Sequence, residues 1–322
     1  MSVLKALMLS MSLLGITSAK DLYVPTQVVP SPIETSGCMV DYESCVPADA
    51  VGNQLYFVVR GPESEVLYAF DSSEKQARQL MAFNHPVCDI KFIDEHQFYI
   101  QSSDLFLYDL RDLKNPIQGK LPKGYVSACE DDMLLLDRDS NKLFFINTRG
   151  DIMSTTIGKI TPVTHLTSEY EYNELLKTDG NYIYFIDKYY DLLSLDPKTN
   201  KTQMTLKNED DHLALFINRS SNLLYLATTI PKVCLLNIYN LKNKSLKTIK
   251  MELCPSVIKE TPHQELLVAG RFGGFLVLDA QGKVLQRVKE QKVLISSIEF
   301  LQDGTLCVVR EDGSLQLYRR NE

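Results

Sequence analysis

An all-β chain made of seven copies of one four-stranded unit is the fold class this sequence predicts, on three observations. First, short apolar runs recur along it: "QLYFVV", "QFYIQ", "DMLLLD", "NYIYFI", "NLLYLA", "ELLVAG" and "TLCVV". Their first core residues, Leu55, Phe98, Met133, Tyr182, Leu223, Leu266 and Leu306, are separated by 43, 35, 49, 41, 43 and 40 residues. Second, a further apolar run follows each after a short turn: "VLYAFD", "LFLYD", "LFFIN", "LLSLD", "LLNIYN", "FLVLD" and "LQLYR". These end at Asp71, Asp109, Asn147, Asp196, Asn240, Asp279 and Arg319. Third, no long segment shows the helical period, and turn residues interrupt roughly every six to ten positions. A repeat of about 42 residues is the spacing of propeller blades, so the pattern predicts a seven-bladed β-propeller.

Each unit is read as strands a to d from the channel outwards, with the two runs above as b and c. The Asp or Asn ending six of the seven c runs has a physical reason. Its side chain accepts from backbone N–H groups two residues on and so stops the strand. "DSSEKQ", "DPKTNK" and "DAQGKV" then lead into a more polar d strand, read in "ARQLMAF", "IQGKL", "IMSTTIG", "TQMTLK", "LKTIKM" and "VLQRVK". Strand a is read in "VCDIKFI", "YVSACE", "HLALFIN", "SVIKET" and "ISSIEFL". "HLTSEYEYNELL", in the widest gap, is a strand extension or an exposed loop. The last unit stops after strand c at "SLQLYRR", one strand short. "DLYVPTQVV", near the start, has no unit of its own. It is expected beside residues 314–320 as the missing d strand, closing the ring and covering edges that would otherwise invite aggregation.

The stretch "YIYFIDKYYDLLSLDPKTNKTQMTL" (182–206), a strand ending in Asp that leads through a Thr-containing turn, is similar to a quinoprotein-type repeat. The chain beyond residue 19 resembles the seven-bladed β-propeller superfamily, the broad group that includes WD40 and quinoprotein-like repeats. There is no Trp, so neither a Trp-docking ring nor Trp-Asp endings exist here, and the Gly-His start of many WD40 repeats is absent too. The resemblance implies an architecture, which does not fix a function.

Lys5 precedes an uncharged, mostly apolar run from Ala6 to Ile16, and Thr17-Ser18-Ala19 puts small residues where a signal peptidase reads. Residues 1–19 are therefore expected to be a signal peptide and 20–322 a single propeller domain, exported to the exterior, a periplasm or a secretory lumen. A cytoplasmic protein with an uncleaved N-terminus is the alternative. The run is too short to span a bilayer, so no transmembrane segment is expected in the mature chain. Lys20-Asp21 leaves no lipid-accepting Cys there. The net charge of −7 argues against a nucleic-acid partner, which asks for a basic stripe. Seven Cys leave at least one unpaired. Cys38 and Cys45 are the disulfide candidates, while Cys88, Cys129, Cys234, Cys254 and Cys307, in or beside apolar strands, read as buried thiols.

Catalytic signatures are missing. His85, His96, His165, His212 and His263 have no metal spacing, and no Cys-x-x-Cys, Gly-x-Ser-x-Gly or phosphate loop occurs. No cofactor or metal is expected. Asp137, Asp139 and Asn141 alternate as at the start of a calcium loop, but Lys142 stands where Gly is needed, and the segment is read as the b–c turn of the third unit. "AGRFGGF" is a hairpin turn in which Gly supplies positive φ, and "NEDDH" (208–212) a solvated acidic loop.

The b–c and d–a connections share one rim. Its b–c turns carry Arg60, Arg138, Lys188, Lys232, Arg271 and Arg310, with Tyr189, Tyr190, Phe272 and Pro231 alongside. A cationic, aromatic rim suits a protein partner of acidic character. The expected function is a non-enzymatic protein-binding scaffold. The alternatives are a propeller hydrolase or lactonase with a metal at the channel mouth, and an intracellular WD40-like adaptor. Asn200, Asn218 and Asn243 head Asn-x-Ser/Thr sequons, which matter in a eukaryotic secretory pathway.

Overall fold

Unbroken apolar runs such as residues 55–59 suit strands covered on both faces, and the fold covers them on both. A computed structural model describes residues 22–32, 46–61, 64–74, 76–121, 133–147, 149–167, 173–187, 189–207, 211–230, 233–270, 272, 274–289 and 294–321. Strand β1 (Tyr23–Val29) comes first in the chain and joins the last sheet. Blade one is β2 (Ala48–Val51), β3 (Gln54–Arg60), β4 (Glu65–Asp71) and β5 (Arg78–Phe83). Blade two is β6 (Asp89–Phe92), β7 (Gln97–Gln101), β8 (Leu105–Asp109) and β9 (Ile117–Gly119). Blade three is β10 (Leu134–Asp137), β11 (Lys142–Ile146), β12 (Ile152–Thr156) and β13 (Val163–Leu166). Blade four is β14 (Asn173–Thr178), β15 (Ile183–Asp187), β16 (Leu192–Asp196) and β17 (Lys201–Leu206). Blade five is β18 (Asp211–Asn218), β19 (Leu223–Ile230), β20 (Val233–Asn240) and β21 (Leu246–Met251). Blade six is β22 (Pro255–Glu260), β23 (Leu266–Gly270), β24 (Phe275–Leu278) and β25 (Val284–Val288). Blade seven is β26 (Ile295–Phe300), β27 (Leu306–Arg310) and β28 (Leu315–Arg320), completed by β1.

Among the described residues these strands form seven four-stranded antiparallel sheets, with no helix. The innermost strands β2, β6, β10, β14, β18, β22 and β26 abut in that order, and β26 returns to β2, so the ring encloses a channel. The core is a set of wedges between neighbouring blades. Leu55, Phe57 and Val59 point into the wedge shared with blade seven, while Tyr56 and Val58 point into the one shared with blade two. Each fully buried Leu or Phe there contributes about 1.5–3 kcal/mol, and no blade buries both faces without its neighbours.

The Asx turns form as the strand endings predict. Asp71 Oδ1 accepts Ser73 N–H, Asp109 Oδ1 accepts Arg111 N–H, and Asp196 Oδ1 accepts Lys198 N–H. Asn240 and Asp279 do the same for Lys242 and Gln281. Blade three departs from the expected assignment by one strand. "DMLLLD" is strand a, "LFFIN" is b and "IMSTT" is c. "YVSACE" (125–130) lies outside the described residues, and "NELL" opens strand a of blade four. The misleading signal was Asn147, whose Oδ1 accepts Arg149 and Asp151 N–H groups across a b–c turn. With the corrected assignment the b strands begin at Gln54, Gln97, Lys142, Ile183, Leu223, Leu266 and Leu306. The uneven spacing around Met133 disappears.

Closure runs as the sequence predicts. β1 lies antiparallel to β28, from Tyr23 opposite Arg320 to Val29 opposite Leu315, with a register shift between Pro25 and Gln27. Pro25 has no N–H to donate, and an outermost strand tolerates that. A second tie comes from blade six. The Gln286 carboxamide accepts Tyr23 N–H at 2.7 Å and donates to Tyr23 C=O at 2.8 Å.

Two of the expected buried thiols are instead joined. Cys234, in β20, and Cys254, just before β22, form a disulfide, with Cα atoms 5.0 Å apart and a sequence separation of 20. The hairpin explains it, since Cys234 sits opposite Met251, three residues short of Cys254. Cys88 is disulfide-bonded as well. Cys307 is a free, buried thiol as expected, and burial pushes its pKa up so that it stays protonated. Cys38, Cys45 and Cys129 lie outside the described residues.

Replacing Gln286 by Ala strands both backbone groups of Tyr23 in the core, and is expected to cost about 2–6 kcal/mol at unbound-donor and acceptor penalties of about 1–3 each. A urea midpoint equal to the parent's would show that the clamp carries nothing. For the disulfide, Cys234→Ser is expected to lose about 2–4 kcal/mol in the same assay. Peptide mapping without reductant should recover Cys234 linked to Cys254, and free thiols at both positions would contradict the pairing.

Candidate functional site

Strand direction sorts the turns onto two rims. The b–c and d–a connections share one, and the a–b and c–d connections share the other. Arg60, Tyr189, Tyr190, Phe272 and Arg310 fall on the b–c rim, in or beside the turns β3–β4, β15–β16, β23–β24 and β27–β28. Lys188, Lys232 and Arg271 lie outside the described residues, as does Pro231. Arg138 does not belong with them. It sits in the β10–β11 turn, an a–b connection, on the opposite rim. Its place in blade three is taken by Arg149, between β11 and β12, which sequence reasoning missed because the strand assignment was shifted.

Aromatic exposure distinguishes the b–c rim. Asp187 Oδ1 accepts the N–H groups of Tyr189 and Asp191, an Asx turn that holds the β15–β16 loop out. Tyr190 takes a positive φ of 63° there, and Tyr189 and Tyr190 are 65% and 43% exposed. Phe272 is 71% exposed on the Gly-containing β23–β24 turn, where Gly274 has φ 104° and Gly270 N–H closes onto Gly274 C=O at 3.1 Å. The Arg side chains meet fixed acceptors, two acids and a carboxamide. Arg60 Nε meets Glu65 Oε1 at 2.9 Å, and the other oxygen of Glu65 accepts Val87 N–H from the next blade. Arg149 stands 3.8 Å from buried Asp151. Arg310 reaches Gln316 Oε1 at 3.4 Å.

Two arginines of the opposite rim are used within the fold. Arg138 donates to the carbonyls of Phe92 and Ile93. Arg219, in the β18–β19 turn, pairs with Asp137 at 3.0 Å and Asp139 at 2.7 Å and donates to Thr178 C=O. That explains the alternating acids of "LDRDSNKL": they tie blade three to blade five. The segment is an a–b turn, not the expected b–c turn.

Between the rims lies a channel cavity of about 800 Å³. Its carboxylates are engaged. Asp49 Oδ2 accepts Phe92 N–H at 2.6 Å, and Asp89 Oδ2 accepts Leu134 N–H at 2.9 Å, each linking one inner strand to the next. Glu299 pairs with Lys259, and Glu260 accepts from Asn218 Nδ2 at 2.5 Å. Among the described residues no group of three or more His, Cys, Asp or Glu is placed to hold a metal ion. Burial pushes the Asp49 carboxyl up to about 6; Lys91 and Lys259 pull it back and Glu299 pushes the same way.

A triad-like line also exists between blades three and four. Ser154 Oγ lies 2.8 Å from His165 Nε2, and His165 Nδ1 lies 2.8 Å from Asn200 Oδ1. Because a carboxamide oxygen only accepts, the proton belongs on Nδ1, and Nε2 accepts from the Ser154 hydroxyl. Ser154 is 3% exposed, so the line joins two blades rather than presenting a nucleophile.

A raised carboxyl pKa contributes stability that is present below the unfolded value of 3.8 and lost as pH rises through about 6. Asp49→Asn, which keeps an oxygen for Phe92 N–H, should therefore be more stable than the parent at neutral pH. That advantage should shrink by about 1 kcal/mol between pH 7.5 and pH 5, after allowance for water in the cavity. Urea midpoints at the two pH values measure it, and an advantage that grows on acidification would reverse the sign.

No family model matches the chain, and no curated protein matches it either. Solved structures do, with 1171 matching chains, so many that the likeness by itself selects no function. One belongs to a structure titled "Crystal Structure of Mitotic Checkpoint Complex", with a TM-score of 0.72, 14% identity, and coverage of 93% of this chain and 92% of that one. At that identity the likeness is one of fold. The chain is a seven-bladed β-propeller closed by its own N-terminal strand.

Proposed function

We propose that this propeller is an exported, non-enzymatic scaffold that binds a protein partner on its b–c rim. One observation carries the reading: among the described residues the exposed aromatic side chains are Tyr189, Tyr190 and Phe272, and all three stand on that rim. Exposed aromatics beside Arg are the residues that anchor interfaces. Arg60, Arg149 and Arg310, with Lys188, Lys232 and Arg271 from the same b–c segments of sequence, favour an acidic partner.

Export is supported by the leader-like residues 1–19 and by the Cys234–Cys254 disulfide, which belongs to an oxidising compartment. That also weighs against the intracellular adaptor. The hydrolase alternative has no observation in its favour, because Asp49, Asp89, Glu260 and Glu299 already hold backbone or side-chain partners.

The test is affinity capture of the tagged full chain from its native source, with the bait's own N-terminus read by mass spectrometry. Tyr189→Ala with Phe272→Ala should reduce capture of the partner at least tenfold, about 1.4 kcal/mol. Folding stability should move by no more than about 0.5 kcal/mol, since both side chains are exposed. Arg111→Ala, on the opposite rim, should leave capture unchanged. A partner lost equally with Arg111→Ala, or retained by the double variant, would discard the b–c rim. A mature bait starting at Lys20 is expected, and one retaining Met1 would overturn export.

A further inference from the structure

The three sequons are not equivalent in the fold. Asn218 ends β18 and is 8% exposed. Its Nδ2 donates to Glu260 Oε1 at 2.5 Å, and its Oδ1 accepts Ser220 Oγ–H and Ser221 N–H. The whole carboxamide is therefore engaged where blades five and six meet. Asn200 and Asn243 are exposed, in the β16–β17 and β20–β21 turns. In both, the carbonyl oxygen is the engaged atom: Asn200 Oδ1 accepts from His165, and Asn243 Oδ1 accepts Ser245 N–H at 3.0 Å. Among the described residues no group holds Nδ2 of either. Each side chain is thus oriented by its oxygen with its nitrogen left to solvent, and Thr202 and Ser245, which complete the two sequons, are exposed as well.

From this we infer that in a eukaryotic secretory lumen Asn200 and Asn243 accept N-linked glycans, whereas Asn218 in the folded protein does not. The inference rests on the export reading. In the transfer, Asn Nδ2 bonds to the anomeric carbon of a polyprenyl-pyrophosphate-linked oligosaccharide. The bond from that carbon to the pyrophosphate oxygen breaks, the polyprenyl pyrophosphate leaves, and Nδ2 gives up one proton. Donor and transferase come from the secretory membrane. A glycan at Asn218 would leave Nδ2 a single N–H at the Glu260 contact and demand space between blades five and six, where Asn218 is buried, so a chain carrying it does not complete the ring. Oδ1 survives the reaction in all cases, so the His165 and Ser245 contacts persist under the two accepted glycans.

The placement deepens the functional reading. Both acceptors lie in c–d turns of adjacent blades, four and five, on the rim opposite Tyr189, Tyr190 and Phe272. Glycans there cover the a–b rim and leave the b–c rim open to a protein.

The experiment is secretory expression of the full chain in insect or mammalian cells, in two forms. One has its own N-terminus, and the other has an established leader ahead of Met1. Lysate and medium are both treated with peptide-N-glycosidase, which converts a glycosylated Asn to Asp, and conversion is read by mass spectrometry at each sequon. Conversion is expected at Asn200 and Asn243 and not at Asn218 in protein recovered from the medium. Thr202→Ala and Ser245→Ala keep both Asn side chains, and each should remove one of two mobility steps. No conversion at Asn200 and Asn243 in the form with the established leader, or conversion at Asn218 in secreted protein, would overturn the assignment. If only that form enters the pathway, export by residues 1–19 fails, while the same peptides still decide the acceptors.

Discussion

Ring closure is the constraint on which everything else in this molecule depends. A blade has two apolar faces and cannot cover either alone, so the wedge between blades seven and one must form for the other six to be worth forming. The chain makes that wedge by pairing β1 with β28 across nearly its whole sequence. Gln286 adds a side-chain copy of strand pairing, meeting both backbone groups of Tyr23 from the neighbouring blade. Val29 and Leu315 then lie in the same wedge as Leu55 and Phe57. Contacts of this sequence separation carry a high loop-closure cost, which places the closing step late in folding.

A closed ring of identical architecture presents two rims that differ only in what their turns carry. On the a–b side, Arg138 and Arg219 are used to bind blades to one another, and Asn200 takes part in the line that joins blades three and four. On the b–c side, Asx turns such as that at Asp187 hold the loop backbone so that aromatic side chains stand out. The channel belongs to structure: Asp49 and Asp89 stand on successive inner strands, and each accepts an N–H from the next one.

Much of this was legible in the residues. The Asx endings at Asp71, Asp109, Asp196, Asn240 and Asp279 did what their chemistry says, and the strand missing from the last unit led directly to residues 23–29. Blade three was misassigned because the inner strand "LLLD" is as apolar as a b strand, and because Asn147 performs at a b–c turn the task that Asx performs elsewhere at c–d turns. That single shift moved Arg138 to the wrong rim and hid Arg149. The Cys234–Cys254 pair was invisible because it depends on where the β20–β21 hairpin returns the chain. The inner-strand links left no periodic signal, since Asp49 and Asp89 stand 40 residues apart where the b strands of their blades begin 43 apart, and the Ser154–His165–Asn200 line crosses two blades and left none either.

The measurement that tests closure most directly is amide hydrogen exchange of the full chain under native conditions, read on peptides covering residues 22–29 and 306–320. If β1 is an integral strand of blade seven, its bonded amides exchange as slowly as those of β27 and β28 and open together with them. Exchange of the 22–29 peptide orders of magnitude faster than that of 306–320 would mean that β1 frays independently and that the ring is held shut by something else.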